Sequence, residues 1–416
     1  MRIGYACIPL TVNYRTNRGF ILKNFTYERF CSTVKENLND LKLILQNNIK
    51  NNIYFFRISS DIIPFGSHEV NDINWWDIFQ EELSDIGNFI IENSIRVSMH
   101  PGQYTVLNSP SKEVLYKSTK ELEYHNRFLN SLGVDNTNKI VTHVGGVYGD
   151  KKSATDRFLE NFKYLSDSCK ERIIVENDEK MYDIEDVLNI CNKINVPAVL
   201  DNLHHKCNPS LSNDFNLIIK EVIYTWKEKD GVPKVHYSDE GKTKRLGAHS
   251  SFVCSKNFLE YYNKIKNYDI DIMLEVKDKD ISAIKCTNLL SAYNDDNKIK
   301  KSIVYKEWAR YKYLVMEKDY SLYKECSALV NSKGDIIDFY KFVDECLDMP
   351  FNEKNFINTA QHVWGYFRKT ASEKEKMQFS ILMENSKEYI KIKEKLKRLA
   401  IKYDEEYLLD SYYFNY

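Results

Sequence analysis

Short apolar runs recur along the first two thirds of the chain, each too short for a helix and most interrupted by a polar residue near the carboxyl end. Eight read as strands: 2–8 (RIGYACI), 53–59 (IYFFRIS), 95–100 (IRVSMH), 139–145 (KIVTHVG), 172–177 (RIIVEN), 197–202 (PAVLDN), 233–238 (PKVHYS) and 271–277 (DIMLEVK). Between them lie stretches such as TVKENLNDLKLILQNN and WWDIFQEELSDIGNFIIEN, with apolar residues near helical spacing. Near-continuous apolar strands alternating with helices predict a parallel sheet covered on both faces. Eight such units in succession predict an α/β fold, the (β/α)8 barrel. The strand pattern then stops. YKEWARYKYLVME, DIIDFYKFVDECL, NFINTAQHVWGYFRK and EYIKIKEKLKRLAIKY carry helical periodicity instead. The expected organisation is a barrel over residues 1–295 and a small all-helical domain over 305–416.

Composition narrows the function classes. With 43% hydrophobic and 29% charged residues, the 416-residue chain is an ordinary globular one. Its formal charge of -1 provides no global basic field for nucleic acid. The local clusters DKKSATDR, GKTKR and NKIKKS read as solvated faces. Nine cysteines without a C-x-x-C pair point to reduced thiols and a cytoplasmic protein. No stretch approaches the ~18 apolar residues of a membrane helix, so no membrane partner is expected. No Walker-type glycine loop is present, so no nucleotide cofactor is expected.

The chemistry sits where polar residues interrupt the strands. His100, His143, Glu176, Asp201, His236 and Glu275 fall at or near the carboxyl ends of the third to eighth strands. That is the face on which such barrels build their sites. Six acidic or imidazole groups cannot share one buried mouth without cations to compensate them. His204 in DNLHH and His249 in GAHS fall in loops on the same face. Imidazole mixed with carboxylate suits Zn²⁺, Mn²⁺ or Fe²⁺. Three or four protein ligands per ion, with one Glu shared, imply two or three ions. Clustered ions suit phosphoryl chemistry, because they generate hydroxide and clamp the attacking and leaving oxygens. Lys234 shares a strand face with His236, and an ammonium there would be repelled. It is neutral, or leans away towards a phosphate, or has become an anionic carbamate.

In these residues the chain resembles the UV damage endonucleases, repair nucleases related in fold to endonuclease IV. The matching segments are IGYACI, FRISSDIIPFGSH, SMHPGQY, THVGGVYG, VENDE, LDNLHH, PKVHYS, GAHS and MLEVKDK, in family order over residues 1 to about 285. The resemblance implies a three-metal site, usually of manganese, with zinc as the alternative. Carried over by motif, the ligands are His100, His143, Glu176, Asp201, His204, His236, His249 and Glu275. It implies that Lys234 is carboxylated and that His68 acts near the phosphate. Gln103 and Tyr104 occupy the family's probing pair, which wedges into the duplex at a lesion, and Tyr5 matches a tyrosine beside that lesion. His125 is expected to be structural, His205 to lie behind the ligands, and His362 to pack in the helical core. The C-terminal third resembles the helical DUF1722 family, which carries no known activity.

The expected function is a metal-dependent endonuclease that nicks double-stranded DNA immediately 5′ of UV photoproducts, acting as a monomer. Two rivals share parts of the pattern. A metal-dependent sugar isomerase or epimerase has the barrel and the strand-end carboxylates, but no use for a Gln-Tyr wedge. A non-catalytic damage-binding module would have no reason to keep the complete ligand set.

Overall fold

The computed structural model describes residues 1–210, 214–242, 246–294, 301–332, 335–384 and 388–416. Most of GKTKR and NKIKKS therefore lies outside the described residues. Contacts divide the chain into two compact units, Met1–Val253 with Glu260–Ile284, and Cys254–Leu259 with Lys285–Tyr416. The division falls at residue 285, within the helix Asp280–Asn294. The sequence pattern had put the end of the first domain at 295, a residue outside the described ones.

In the first unit all eight expected strands form: β1 (Ile3–Ala6), β2 (Phe55–Arg57), β3 (Arg96–Ser98), β4 (Ile140–His143), β5 (Ile173–Glu176), β6 (Ala198–Val199), β7 (Lys234–Tyr237) and β8 (Asp271–Leu274). Every strand pair is parallel. The ladders form two arcs, β3-β2-β1-β8-β7 and β4-β5-β6. Single parallel bridges, Met99 to Ile140 and Asp201 to His236, join the arcs at both ends and close the ring. The strands are shorter than the apolar runs, because each run continues into its loop after leaving the ladder. The helices Tyr27–Lys50 and Gln80–Glu92 cover the ring where the amphipathic stretches predicted them. Each turns its apolar stripe inward, with Val34, Leu38, Leu41 and Leu45 buried on the first.

Alternation along the strands decides which side chains enter the ring. On β7, Lys234 and His236 share one face and are wholly buried. Tyr237 takes the other face and packs on Tyr261, centroids 4.8 Å apart. At β1 a side-chain partner corrects an expectation. Tyr5 is fully buried, and its hydroxyl donates to Asn48 Oδ1 on the first helix at 2.8 Å. It faces the helical layer and offers nothing to a ligand.

The second unit is helical. Its core is built from Phe356, Val363, Phe367, Ile392, Leu396, Leu408 and Tyr413, with partly buried aromatics packed around them. The buried Arg310 pairs with Glu307 on its own helix (2.9 Å) and ties that helix to Asp410 (3.0 Å). Helices over Tyr320–Ser332 and Glu373–Glu384 join those predicted. His362 is exposed rather than packed in the core, because its helix stops at Trp364 and turns Val363 inward instead.

Candidate metal centre

Glu176 ends β5 and lies in register beside His143 at the end of β4. It is the common member of three donor groups: His100 with His143, Asp201 with His204, and His236 with Glu275. Within each group the donor atoms lie within 4.8 Å of one another. His100 Nε2 lies 3.1 Å from Glu176 Oε2, and His236 Nδ1 donates to Oε1 at 2.8 Å. His249 reaches the set through Glu275, its Nδ1 3.8 Å from Oε2. All eight ligands expected from the sequence therefore converge on one mouth.

Local structure explains how each donor is aimed. Asp201 caps the short helix Asn202–Cys207, its Oδ1 accepting from the His204 backbone N–H at 2.7 Å. That leaves Oδ2 buried without a hydrogen-bond partner. His100, His204 and His249 each place Nδ1 against a backbone carbonyl, those of Pro101, Asn177 and Glu275. Such a contact keeps Nδ1 protonated and leaves Nε2 as the nitrogen a metal would take, the arrangement that supports a metal-binding imidazole.

The donor set fits divalent cations. Asp201 Oδ2 is buried and unpaired, which is costly unless a cation sits against it. His100 also has an acceptor at each ring nitrogen. Burial pushes its pKa down to about 4 against the pull of Glu176, so the ring is neutral and has one proton for two acceptors. A cation between Nε2 and the carboxylate resolves the conflict.

The charges of the cluster hold one another. Burial disfavours the charged form of Glu176, yet His236, His143 and the His100 hydrogen bond hold it well below the usual carboxylate range. Glu275 is depressed likewise against its burial, by Arg57 and then His236. Burial raises Asp201, with Glu176 and Glu275 adding to it. His204 is lifted to about 9: Asp201, Glu176 and Glu275 outweigh its burial.

Lys234 is buried in the same mouth, with its Nζ unpaired and 5.6 Å from the Phe55 ring centroid. Burial, then Arg96 and Arg57, hold its pKa well below the ordinary lysine range, against Glu176 and Glu275. Arg57, at the end of β2, was not singled out from the sequence. Its Nη1 pairs with Glu275 Oε1 at 2.5 Å. The strand-end rule that found the acids and imidazoles would have found it had cations been included.

The donors open into a cavity of about 1090 Å³, lined by His143, His204, His249 and Glu275 and, further out, by Gln103, Tyr104 and Tyr148. Gln103 is exposed, and Tyr104 is 75% exposed on the turn after Pro101 and Gly102. His68 stands apart from the donors. It is exposed, accepts from the Val70 N–H at 3.0 Å, and lines a second cavity of about 460 Å³ that also touches Tyr104. His125 is structural: it is fully buried between Glu121 O (2.7 Å) and Ser60 Oγ (2.9 Å). His205 is half-buried beside the donors and belongs to none of the three groups.

The family model for UV-endonuclease UvdE matches residues 2–309. The chain belongs to that family. A UV DNA damage endonuclease of Clostridium perfringens (strain 13 / Type A) is 49% identical over 404 residues, 97% of this chain and 96% of that one. One from Bacillus velezensis is 34% identical over 265 residues, 63% of this chain and 82% of that protein. The crystal structure of SacUVDE superposes with a TM-score of 0.68 at 39% identity, covering 71% of this chain and 99% of that one. The UvdE match makes the chain an endonuclease and its first unit a barrel of that family. The DUF1722 family, of unknown function, matches residues 312–416. No described helix is long and apolar enough to cross a membrane.

Proposed function

We propose that this endonuclease nicks duplex DNA immediately 5′ of UV photoproducts, cyclobutane dimers and 6-4 photoproducts alike, leaving a 3′-hydroxyl and a 5′-phosphate. The observation that carries the reading is three donor groups sharing Glu176 inside a cavity whose outer wall holds an exposed glutamine and tyrosine. His100, His143, Glu176, Asp201, His204, His236, His249 and Glu275 would hold two or three divalent ions, Mn²⁺ by preference. Bound there, such ions supply Lewis acidity to the scissile phosphate and a nucleophile at neutral pH.

The chain's own groups prepare that site. Glu176 and Glu275 stay ionised at neutral pH and so are ready to ligate. Backbone carbonyls orient the His100, His204 and His249 rings before any substrate arrives. Gln103 and Tyr104, a planar amide and an aromatic ring, fill the gap left when damaged bases leave the stack. His68, beside Tyr104, faces the DNA backbone on the same side. Lys234, held as a neutral amine by burial, attacks carbon dioxide through nitrogen, loses a proton and becomes a carbamate anion. The protein acts as a monomer on cytoplasmic, nucleoid DNA, and residues 305–416 form an accessory domain outside the chemistry.

UV-irradiated and untreated supercoiled plasmid, incubated with the protein and Mn²⁺, test the reading. Nicking confined to irradiated plasmid, with ends mapped 5′ of a single defined lesion, is the expected result. Equal nicking of both plasmids, or binding without nicking, would overturn it.

A further inference from the structure

Tyr148 lies in the loop after β4, and three features of this residue are unexplained by the metal centre. Its backbone is left-handed, φ 49°, between Gly145 at φ 111° and Gly149 at φ 85°. Glycine adopts that region freely, whereas a bulky aromatic residue rarely does. Its side chain is 49% exposed. Its hydroxyl makes no hydrogen bond among the described residues, although the ring lines the cavity that holds the donors. A strained backbone that presents an exposed aromatic ring to a cleft points to a contact made with a ligand.

The ring is also held in place. The Arg157 guanidinium sits 5.5 Å from its centroid, and Arg157 Nε donates to the Asn108 carbonyl at 2.9 Å. Asn108 is itself fully buried, and its Nδ2 donates to Gly146 O at 2.7 Å. A Cβ on Gly145 would lie 2.4 Å from Asn108 Oδ1 and 2.8 Å from Val106. The loop of Tyr148 is thus packed directly onto the segment that follows Gln103 and Tyr104. The two exposed tyrosines stand on two loops locked together.

We infer that Tyr148 is a second nucleobase-contacting residue, a specificity determinant that stacks on the substrate in the cavity it lines with Gln103 and Tyr104. The inference rests on the DNA reading proposed above. A single aromatic wedge can probe a duplex, but a second ring locked to it at a fixed separation makes the site sensitive to how far the bases are displaced. Stacking on aromatic side chains is worth ~1–3 kcal/mol per base, which corresponds to roughly 5- to 150-fold in binding.

The test uses full-length protein, Mn²⁺ and a duplex carrying one thymine dimer, beside an intact duplex. Tyr148→Asn is the decisive variant, because asparagine tolerates the left-handed backbone while removing the ring. Its KM for the damaged duplex is expected to rise roughly 5- to 150-fold, with the loss carried by KM rather than kcat. Bound manganese should match wild type, and Tyr148→Phe should restore KM. An unchanged KM in Tyr148→Asn would overturn the inference, as would a loss confined to kcat or accompanied by lost metal. Wild-type protein that fails to nick the damaged duplex would instead overturn the DNA reading, so the two failures are separable.

Discussion

Metal binding to this centre should be steeply pH-dependent, and His204 sets the scale. Without metal its imidazolium is held by Asp201, Glu176 and Glu275 against its burial, so the proton leaves only at about 9. A cation taking the Glu176, Asp201 and His204 donors must displace that proton. Each pH unit below 9 then costs ~1.4 kcal/mol, or tenfold in apparent affinity. Between pH 9, where half the chains still carry the proton, and pH 7 the apparent Kd for Mn²⁺ at this group should rise ~50-fold. Glu176 adds no slope in this window, because its neighbours keep it ionised. His236 is also raised by Glu176 and Glu275 against its burial. The sign for stability follows from the same shift. A raised histidine pKa stabilises the metal-free fold below the unfolded value, and that contribution fades as pH climbs through about 9. Calorimetric titration at pH 7 in buffers of different ionisation enthalpy counts the protons released, and about one per ion is expected at this group. Affinity independent of pH from 7 to 9, with no proton release, would refute the assignment of His204 to a carboxylate-held ligand group.

Other perturbations separate the parts of the site. Glu176→Gln removes the carboxylate common to all three donor groups, so bound Mn²⁺ should drop below one ion per chain and nicking at least ~100-fold, with the fold intact by circular dichroism. Near-normal metal content would count against a shared Glu176. Gln103→Ala with Tyr104→Ala should cost roughly 5- to 150-fold in preference for damaged over intact duplex while leaving metal content alone. Undiminished preference would place the wedge elsewhere. Lys234→Leu should bind fewer ions and cut slowly, and wild-type protein kept in ¹³C-bicarbonate above neutral pH should show a carbamate carbon resonance. Fully metal-loaded protein without that resonance would remove the modification.

The strands and the polar side chains gathered at the mouth were legible for one reason. A buried parallel strand must be apolar along its length, so a histidine or carboxylate at its end stands out and belongs to the mouth. Asp201 and Glu176 needed nothing more. Tyr5 shows where the reasoning stops. Alternation says that neighbours on a strand face opposite ways, but not which way either faces, and here the answer rests on Asn48, a partner 43 residues away. Arg57 was missed because its partner Glu275 lies 218 residues on, and an arginine after two phenylalanines reads as a strand leaving the core. The left-handed Tyr148 could not be foreseen either. Local chemistry assigns that conformation to the nearby Gly145 and Gly149, which adopt it, and gives no reason for the tyrosine between them to do so.

The ring of strands has two seams, each held by one isolated bridge, at Met99 with Ile140 and at Asp201 with His236. Two of the three donor groups straddle them. His100 follows β3 on one arc, whereas His143 and Glu176 lie on the other; Glu176 again faces His236 and Glu275 across the second seam. Ions seated there would act as clasps, fastening two half-rings where the backbone ladder is thinnest. Chelation should then loosen the barrel along these lines first, and amides beside the bridges should exchange with deuterium well before those of β1, β2 and β8. In such a barrel the catalytic ions would also be part of the hoop that keeps the site circular.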